Sequence, residues 1–318
     1  MYKKEEIKLN SLKCDWYNTT FNNLRDGYQV EVEFLHRMRG LLEKMVYPLS
    51  VLFVESGRGW RGYPLSGQFL LFDESTGESL GVIALCGYGS ARDDMGVFVS
   101  VSGQYAHEYR EAVLLEADND PLFYHACSRV DVAFDWIELD SVDEVFSRFQ
   151  AFAKRRNLKT QYQGDYDFKK DGRTYYIGSA KSKSCRIVLY EKGKEQIKKA
   201  GLKPSPDVEN WLRVEVRLSG AYGRRDKIPN MNLNDIFFAT KTVRALISEC
   251  LPSFDFSQLK SDRLSVDYSA NDKNASSSFA HMLRTYKNVM REVLTEDYEG
   301  DKLKFINRIL TAIGVECI

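Results

Sequence analysis

Three short segments share a pattern that only an extended chain can satisfy: Arg129-Val-Asp-Val-Ala-Phe-Asp135, Arg186-Ile-Val-Leu-Tyr-Glu-Lys192 and Arg213-Val-Glu-Val-Arg217. Side chains alternate across a β-strand, so Val130, Val132, Phe134 and Trp136 face one way and Arg129, Asp131, Ala133 and Asp135 the other. The same split sets Leu212, Val214, Val216 and Leu218 against Arg213, Glu215 and Arg217. The middle segment turns Ile187 and Leu189 inward and presents Arg186, Val188, Tyr190 and Lys192. Side by side, three such strands would gather carboxylates, arginines and a tyrosine on one sheet face. The plain competing reading is a solvated face laced with cross-strand ion pairs.

The 318 residues suffice for two or three structural units, each with its own core. No apolar run approaches the roughly 20 residues needed to span a membrane, and the start, Met1-Tyr-Lys-Lys-Glu-Glu-Ile, lacks the apolar stretch of a secretory signal. The six cysteines are scattered without a Cys-x-x-Cys pair. That argues against zinc ribbons and disulfide scaffolds, and for a reducing cytoplasm. A formal net charge of zero hides segregation: residues 151–230 carry 20 Lys and Arg against 9 Asp and Glu. A basic middle favours a polyanionic substrate, although solvated basic loops would give the same count.

The first hundred residues read mostly as strands, at Val51–Val54, Gln68–Phe72, Gly81–Leu85 and Val97–Val101, with one helix expected over Gln29–Met45. Ser141-Val-Asp-Glu144 has the form of a capping box before an apolar stripe of Val145, Phe146, Phe149, Phe152 and Ala153. Gly172–Gly178 and Cys185–Tyr190 read as a hairpin, and Pro204 and Pro206 mark a loop. Beyond residue 230, helical spacing dominates over Leu233–Leu251, Phe279–Leu294 and Leu303–Ile313, with a polar stretch at Ser265–Ser278. The expected fold is therefore α+β, with two antiparallel-sheet lobes, flanking helices and a helical C-terminal region. The expected boundaries are 1–120 (mainly β), 121–230 (the catalytic sheet lobe) and 231–318 (helical). No internal sequence repeat is apparent.

A tyrosine attacks a phosphodiester only if its hydroxyl lines up with the leaving oxygen, cations neutralise the phosphate, and the leaving group is stabilised. The three segments offer Tyr190 as nucleophile, and Arg186, Arg213 and Arg217 as phosphate clamps. Asp131 and Glu215 are candidate ligands for Mg²⁺ or Mn²⁺, with Asp135 a further carboxylate on the same face.

The runs Thr174-Tyr-Tyr-Ile-Gly-Ser179, Arg186-Ile-Val-Leu-Tyr-Glu-Lys-Gly-Lys-Glu195 and Trp211-Leu-Arg-Val-Glu-Val-Arg217 together resemble the replication initiation factor family. That family includes rolling-circle initiators of plasmids and filamentous phages, and related conjugative-element relaxases. Arg129–Asp135 is similar to its first acidic strand, and Asp15-Trp-Tyr17 and Val99-Ser-Val-Ser-Gly103 resemble the filamentous-phage branch. The resemblance implies related sheet lobes and a protein that nicks and rejoins origin DNA through a covalent 5′-phosphotyrosine. It carries the catalytic tyrosine to Tyr190 and the metal carboxylates to Asp131 and Glu215, with Asp135 beside them. Arg186 stands four residues before Tyr190 rather than two, which leaves Tyr175 and Tyr176 as alternative nucleophiles. A rival nickase class binds its metal through a His-x-His pair, but His36, His107, His125 and His281 are far apart, so the ligands expected are oxygens.

The basic segments Lys154–Arg156, Lys169–Arg173 and Lys181–Arg186 are expected to contact phosphates. Expected partners are duplex and single-stranded origin DNA, with a host replicative helicase and a second copy of the chain also admitted; the setting is a bacterial cytoplasm. Two alternatives stay open: an origin-binding regulator that does not cleave, and a nuclease that uses water.

Overall fold

A computed structural model describes residues 12–251 apart from 22–27, 90–95, 138–140, 168–170, 183–184, 202 and 220–224. The stretches expected as helices at Phe279–Leu294 and Leu303–Ile313, and the polar stretch Ser265–Ser278, lie outside the described residues.

The elements run β1 (Lys13–Phe21), α1 (Tyr28–Val46), β2 (Ser50–Glu55), β3 (Leu65–Asp73), β4 (Glu78–Tyr88), β5 (Val97–Ser102), α2 (Ala106–Asn119) and β6 (Ala126–Ile137). There follow α3 (Val142–Arg155), β7 (Thr160–Gly164), β8 (Arg173–Ile177), β9 (Cys185–Glu191), α4 (Lys192–Ala200), α5 (Pro206–Glu209), β10 (Trp211–Ser219), α6 (Leu233–Phe237) and α7 (Lys241–Cys250). All ten strands join one antiparallel sheet in the order β2-β3-β4-β5-β1-β6-β10-β9-β8-β7. The architecture is mixed α+β, and the expected sheet lobes are two halves of a continuous sheet, joined where β1 pairs with β6.

The halves repeat one topology. Each is a central strand, a helix, then four strands that return from the sheet edge to the centre: β1-α1-β2-β3-β4-β5 and β6-α3-β7-β8-β9-β10. Related lobes are thus visible in the path of the backbone, although the sequence carries no repeat.

One sheet face forms the core with the helices, because burying an apolar stripe removes it from water. Val97, Val99 and Val101 in one half, and Val130, Val132, Phe134, Leu212, Val214 and Val216 in the other, are all buried there. Against them pack Phe34, Leu35, Met38, Leu41 and Leu42 of α1, and Val145, Phe146, Phe149 and Phe152 of α3.

Two local readings change. Ser141 precedes α3, but its side chain makes no capping hydrogen bond; the carbonyl of Ser141 accepts from Glu144 N instead, at 2.9 Å. Asp143 and Glu144 still suit the positive end of that helix. The helix expected over Leu233–Leu251 is two, α6 and α7, with Thr240 capping the second through Val243 N. The Lys-rich stretch after Glu191 is a helix, α4. At Gly193 an added Cβ would lie 1.4 Å from the Val208 carbonyl oxygen, so only glycine lets α4 pack against α5.

Candidate functional site

The three two-faced segments are neighbours: β10 lies between β6 and β9. Their register makes three rungs on the face away from the helices. Arg213 sits between Asp135 and Tyr190, Glu215 between Ala133 and Val188, and Arg217 between Asp131 and Arg186.

The contacts run both within rungs and diagonally between them. Tyr190 Oη donates to Glu215 Oε1 at 2.7 Å, and Arg217 Nη2 donates to Glu215 Oε2 at 2.9 Å. The Nε of Arg217 lies 3.5 Å from Asp131 Oδ2. Arg129 also grips Asp131 with two nitrogens, at 2.9 and 2.5 Å. On the far rung Arg213 holds both oxygens of Asp135 at 2.7 Å and donates to Asp15 Oδ1 at 2.9 Å. Trp211 Nε1 adds a bond to Asp135 Oδ1 at 2.8 Å. The ammonium of Lys192 stands 5.7 Å from the Tyr190 ring centroid.

Small apolar neighbours desolvate the middle rung. Ala133 and Val188 are each 1 % exposed and Glu215 is 3 % exposed between them. Burial, and next the charge of Glu215, raise the Tyr190 pKa well above that of an ordinary phenol, so the proton stays on the pair. Burial likewise raises Asp131, against the pull of Arg129 and Arg217. It raises Asp15 too, with Glu215 adding to the shift and Arg213 opposing it. Burial is the largest single influence and disfavours the charge of Arg213, yet the bonds to Asp135 and the charges around it, Asp135 and Asp15 among them, together outweigh it and raise that guanidinium.

The strand end that carries Tyr190 is pinned from behind. Glu191 is buried on the core face and bound by Arg173 Nε at 3.0 Å and Lys194 Nζ at 3.0 Å. Arg173 also reaches Asp143 at 2.5 Å.

Of the alternative tyrosines, Tyr175 is 1 % exposed in the core, on the opposite face from Tyr190. Tyr176 shares the face of Tyr190; its hydroxyl donates to Gln163 Oε1 at 3.0 Å, and Arg186 stacks 3.8 Å from its ring centroid. The basic segments are dispersed. Arg155 and Arg156 pair with Glu249 of α7 on the helical layer, and Arg173 faces the core. Lys169, Lys170 and Lys183 lie outside the described residues.

Asp15 and Trp16 join the site without having been singled out as site residues. A register shift between Cys14 and Trp16 in the β1–β6 pairing lets both reach the same face: Asp15 to Arg213, and Trp16 under Arg129 at 4.2 Å. Their signal in the sequence was Asp15-Trp-Tyr17, which carried part of the family resemblance.

For a metal, Asp131 and Glu215 present hard oxygen donors on adjacent strands, joined through Arg217. Among the described residues no group of three or more His, Cys, Asp or Glu is arranged to hold an ion. Mg²⁺ commonly binds through one or two carboxylates, with water and phosphate oxygens completing its shell, so this pair fits that habit. All three carboxylates are engaged as they stand, Asp135 by Arg213, Asp131 by Arg129, and Glu215 by Tyr190 and Arg217, so an ion would have to displace some of these bonds.

No curated protein matches the chain. Among solved structures, it is similar to a rolling circle replication initiator protein from Geobacillus stearothermophilus, at 19 % identity and a TM-score of 0.47, over 75 % of this chain and 85 % of that one. The family model for the replication initiation factor matches residues 126–299. That span is more than half of the chain and contains Asp131, Tyr190 and Glu215; the chain belongs to the replication initiation factor family.

Proposed function

We propose that the protein initiates rolling-circle replication by nicking and rejoining origin DNA through Tyr190. The observation that carries this reading is the 2.7 Å hydrogen bond from Tyr190 to Glu215, on adjacent strands flanked by Arg213 and Arg217. Glu215 takes the phenolic proton as the Tyr190 oxygen bonds to phosphorus. The bond from phosphorus to the 3′ oxygen breaks, leaving a 5′-phosphotyrosine and, once that oxygen takes up a proton, a free 3′ hydroxyl. Arg213, Arg217 and Arg186 neutralise the non-bridging phosphate oxygens, and Asp135 and Asp15 hold Arg213 in place. Mg²⁺ or Mn²⁺ held by Asp131 and Glu215, with Asp135 nearby, would supply Lewis-acid stabilisation of the phosphate.

A second reading rests on a different observation: Asp131, Asp135 and Glu215 are all engaged by guanidinium groups. A face so neutralised suits an origin-binding regulator that never cleaves. One experiment decides between them. Labelled single-stranded origin DNA is incubated with Mn²⁺ and tested for cleavage and for an SDS-resistant adduct. The proposed reaction gives both, Tyr190→Phe gives neither while still binding, and excess EDTA suppresses cleavage. Binding without any adduct selects the regulator; cleavage without an adduct selects a water-using nuclease.

A further inference from the structure

The face that carries Tyr190 continues onto the first half of the sheet and changes character there. The β2–β3 connection folds back over it as a tight turn: Trp60 and Tyr63 exchange backbone hydrogen bonds at 3.0 and 2.9 Å. Arg61 and Gly62 between them both have positive φ, at 52° and 88°, the signature of a hairpin turn that few non-glycine residues enter. The ring of Tyr63 lies on Gly87, where an added Cβ would come within 2.8 Å of it. Trp60 meets Phe98 edge-on at 5.3 Å, and the Arg61 guanidinium covers both rings at 5.0 and 5.3 Å. Phe98 belongs to the site face, because Val97 and Val99 on either side of it point into the core.

Trp60 is half-buried, Arg61 is exposed, and no carboxylate among the described residues forms an ion pair with Arg61. A cation stacked on an aromatic ring, without an acidic partner, suits a ligand with flat π-faces and negative charge. Another cation–ring pair, Arg129 over Trp16, whose guanidinium is also bound to Asp131, stands between this turn and the Tyr190 rungs. Along the strands Trp16 lies four residues from Thr20, the register partner of Phe98, which is about 13 Å. Asp131, the partner of Trp16, lies four residues from Asp135, on the rung of Tyr190, about 13 Å again. The floor between the two aromatic pairs is small and polar, formed by Asn18 and Ser100.

We infer that Trp60 and Arg61 form a stacking site for single-stranded DNA, at the far end of a track that passes Trp16 and Arg129 to reach Tyr190. The inference rests on the nicking reading for the identity of the nucleic acid, and extends it to a loop outside the family match. A base stacks on Trp60 while Arg61 meets the adjoining phosphate. Such stacking tolerates any sequence, because every base has a π-face.

The test uses the full chain and fluorescein-labelled dT30. Trp60→Ala should weaken binding about 5- to 30-fold, as for the loss of one stacked base, and Trp60→Phe should recover most of it. Arg61→Gln, an exposed change that removes the charge and keeps a planar polar head, should reduce the salt slope of binding by about 1. Parental affinity in Trp60→Ala, or a parental slope in Arg61→Gln, overturns the inference whether or not Tyr190 forms an adduct. Weakened binding in these variants, together with no adduct from the parent protein, leaves the track standing and removes the nicking reading.

Discussion

The two halves of the sheet follow the same path, yet differ almost entirely on one face. On the core face they are alike: Val97, Val99 and Val101 of β5 correspond in place to Leu212, Val214 and Val216 of β10, and all are buried. On the other face β10 carries Arg213, Glu215 and Arg217, whereas β5 carries Phe98, Ser100 and Ser102. Beside them β9 presents Tyr190, and β4 presents Leu85, which is 40 % exposed. The central strands of a packed sheet must bury their inner face, so that requirement persists in both halves. The outer face is free to vary. Strand β5 shows that the topology needs no charges there, and burying them is costly. The raised pKa of Asp131 registers that cost. The second half therefore carries an arrangement that folding alone does not demand.

Substitutions in each half test this contrast. Glu215→Gln removes the proton acceptor but keeps the shape, and should slow adduct formation by about 10²- to 10⁴-fold in a single-turnover assay. An unchanged rate would reduce the second half to a salt-bridged surface like any other. Arg213→Lys loses the paired bonds to Asp135 and should cost about 10²-fold in cleavage through misplacement of the phosphate, with dT30 binding much less affected.

Asp15→Asn should slow cleavage by only about 3- to 10-fold, since Arg213 keeps Asp135. Its stability effect runs the other way. The folded pKa of Asp15 is raised, so the fold holds this proton more tightly than the unfolded chain does. The group's contribution is fully present below the unfolded pKa and falls as pH rises through the folded one. Asparagine removes that fall, so the melting temperature at pH 7 should equal or exceed the parent's, and the gap should close in acid. A lower melting temperature at pH 7 would mean that Asp15 is there for stability. Smallest of all, Leu85→Ser in the first half should leave the cleavage rate within about twofold and stability within about 0.5 kcal/mol.

Much of the second half was legible in the sequence because alternation is a local signal. Arg129–Asp135 and Arg213–Arg217 each announce two faces within a few residues, and Tyr190 falls on the polar one. That β10 lies between β6 and β9 is a pairing across many residues, which no local pattern encodes. The place of Asp15 depended on a register shift, which breaks the alternation that makes strands readable. Helix α4 was hidden because Ile197 is its one large apolar residue, which gives no periodic stripe, and its start depends on Gly193 fitting under the Val208 carbonyl. The stacked turn at Trp60 carried no periodic signal, being a loop whose meaning comes from the sheet beneath it.

The hydrogen bond between Tyr190 and Glu215 bears on how the proposed reaction runs backwards. Rejoining must expel Tyr190 from phosphorus, and in this setting the bare phenolate is a poor leaving group because its pKa is raised. Ala133 and Val188 flank Glu215 in register, so a proton placed there during nicking is screened from water. It is stored beside the oxygen that needs it. The carboxylate that serves as base in the forward direction is then the acid of the return. Cutting and sealing would share one proton, and the covalent intermediate would remember that it was made by a reversible step.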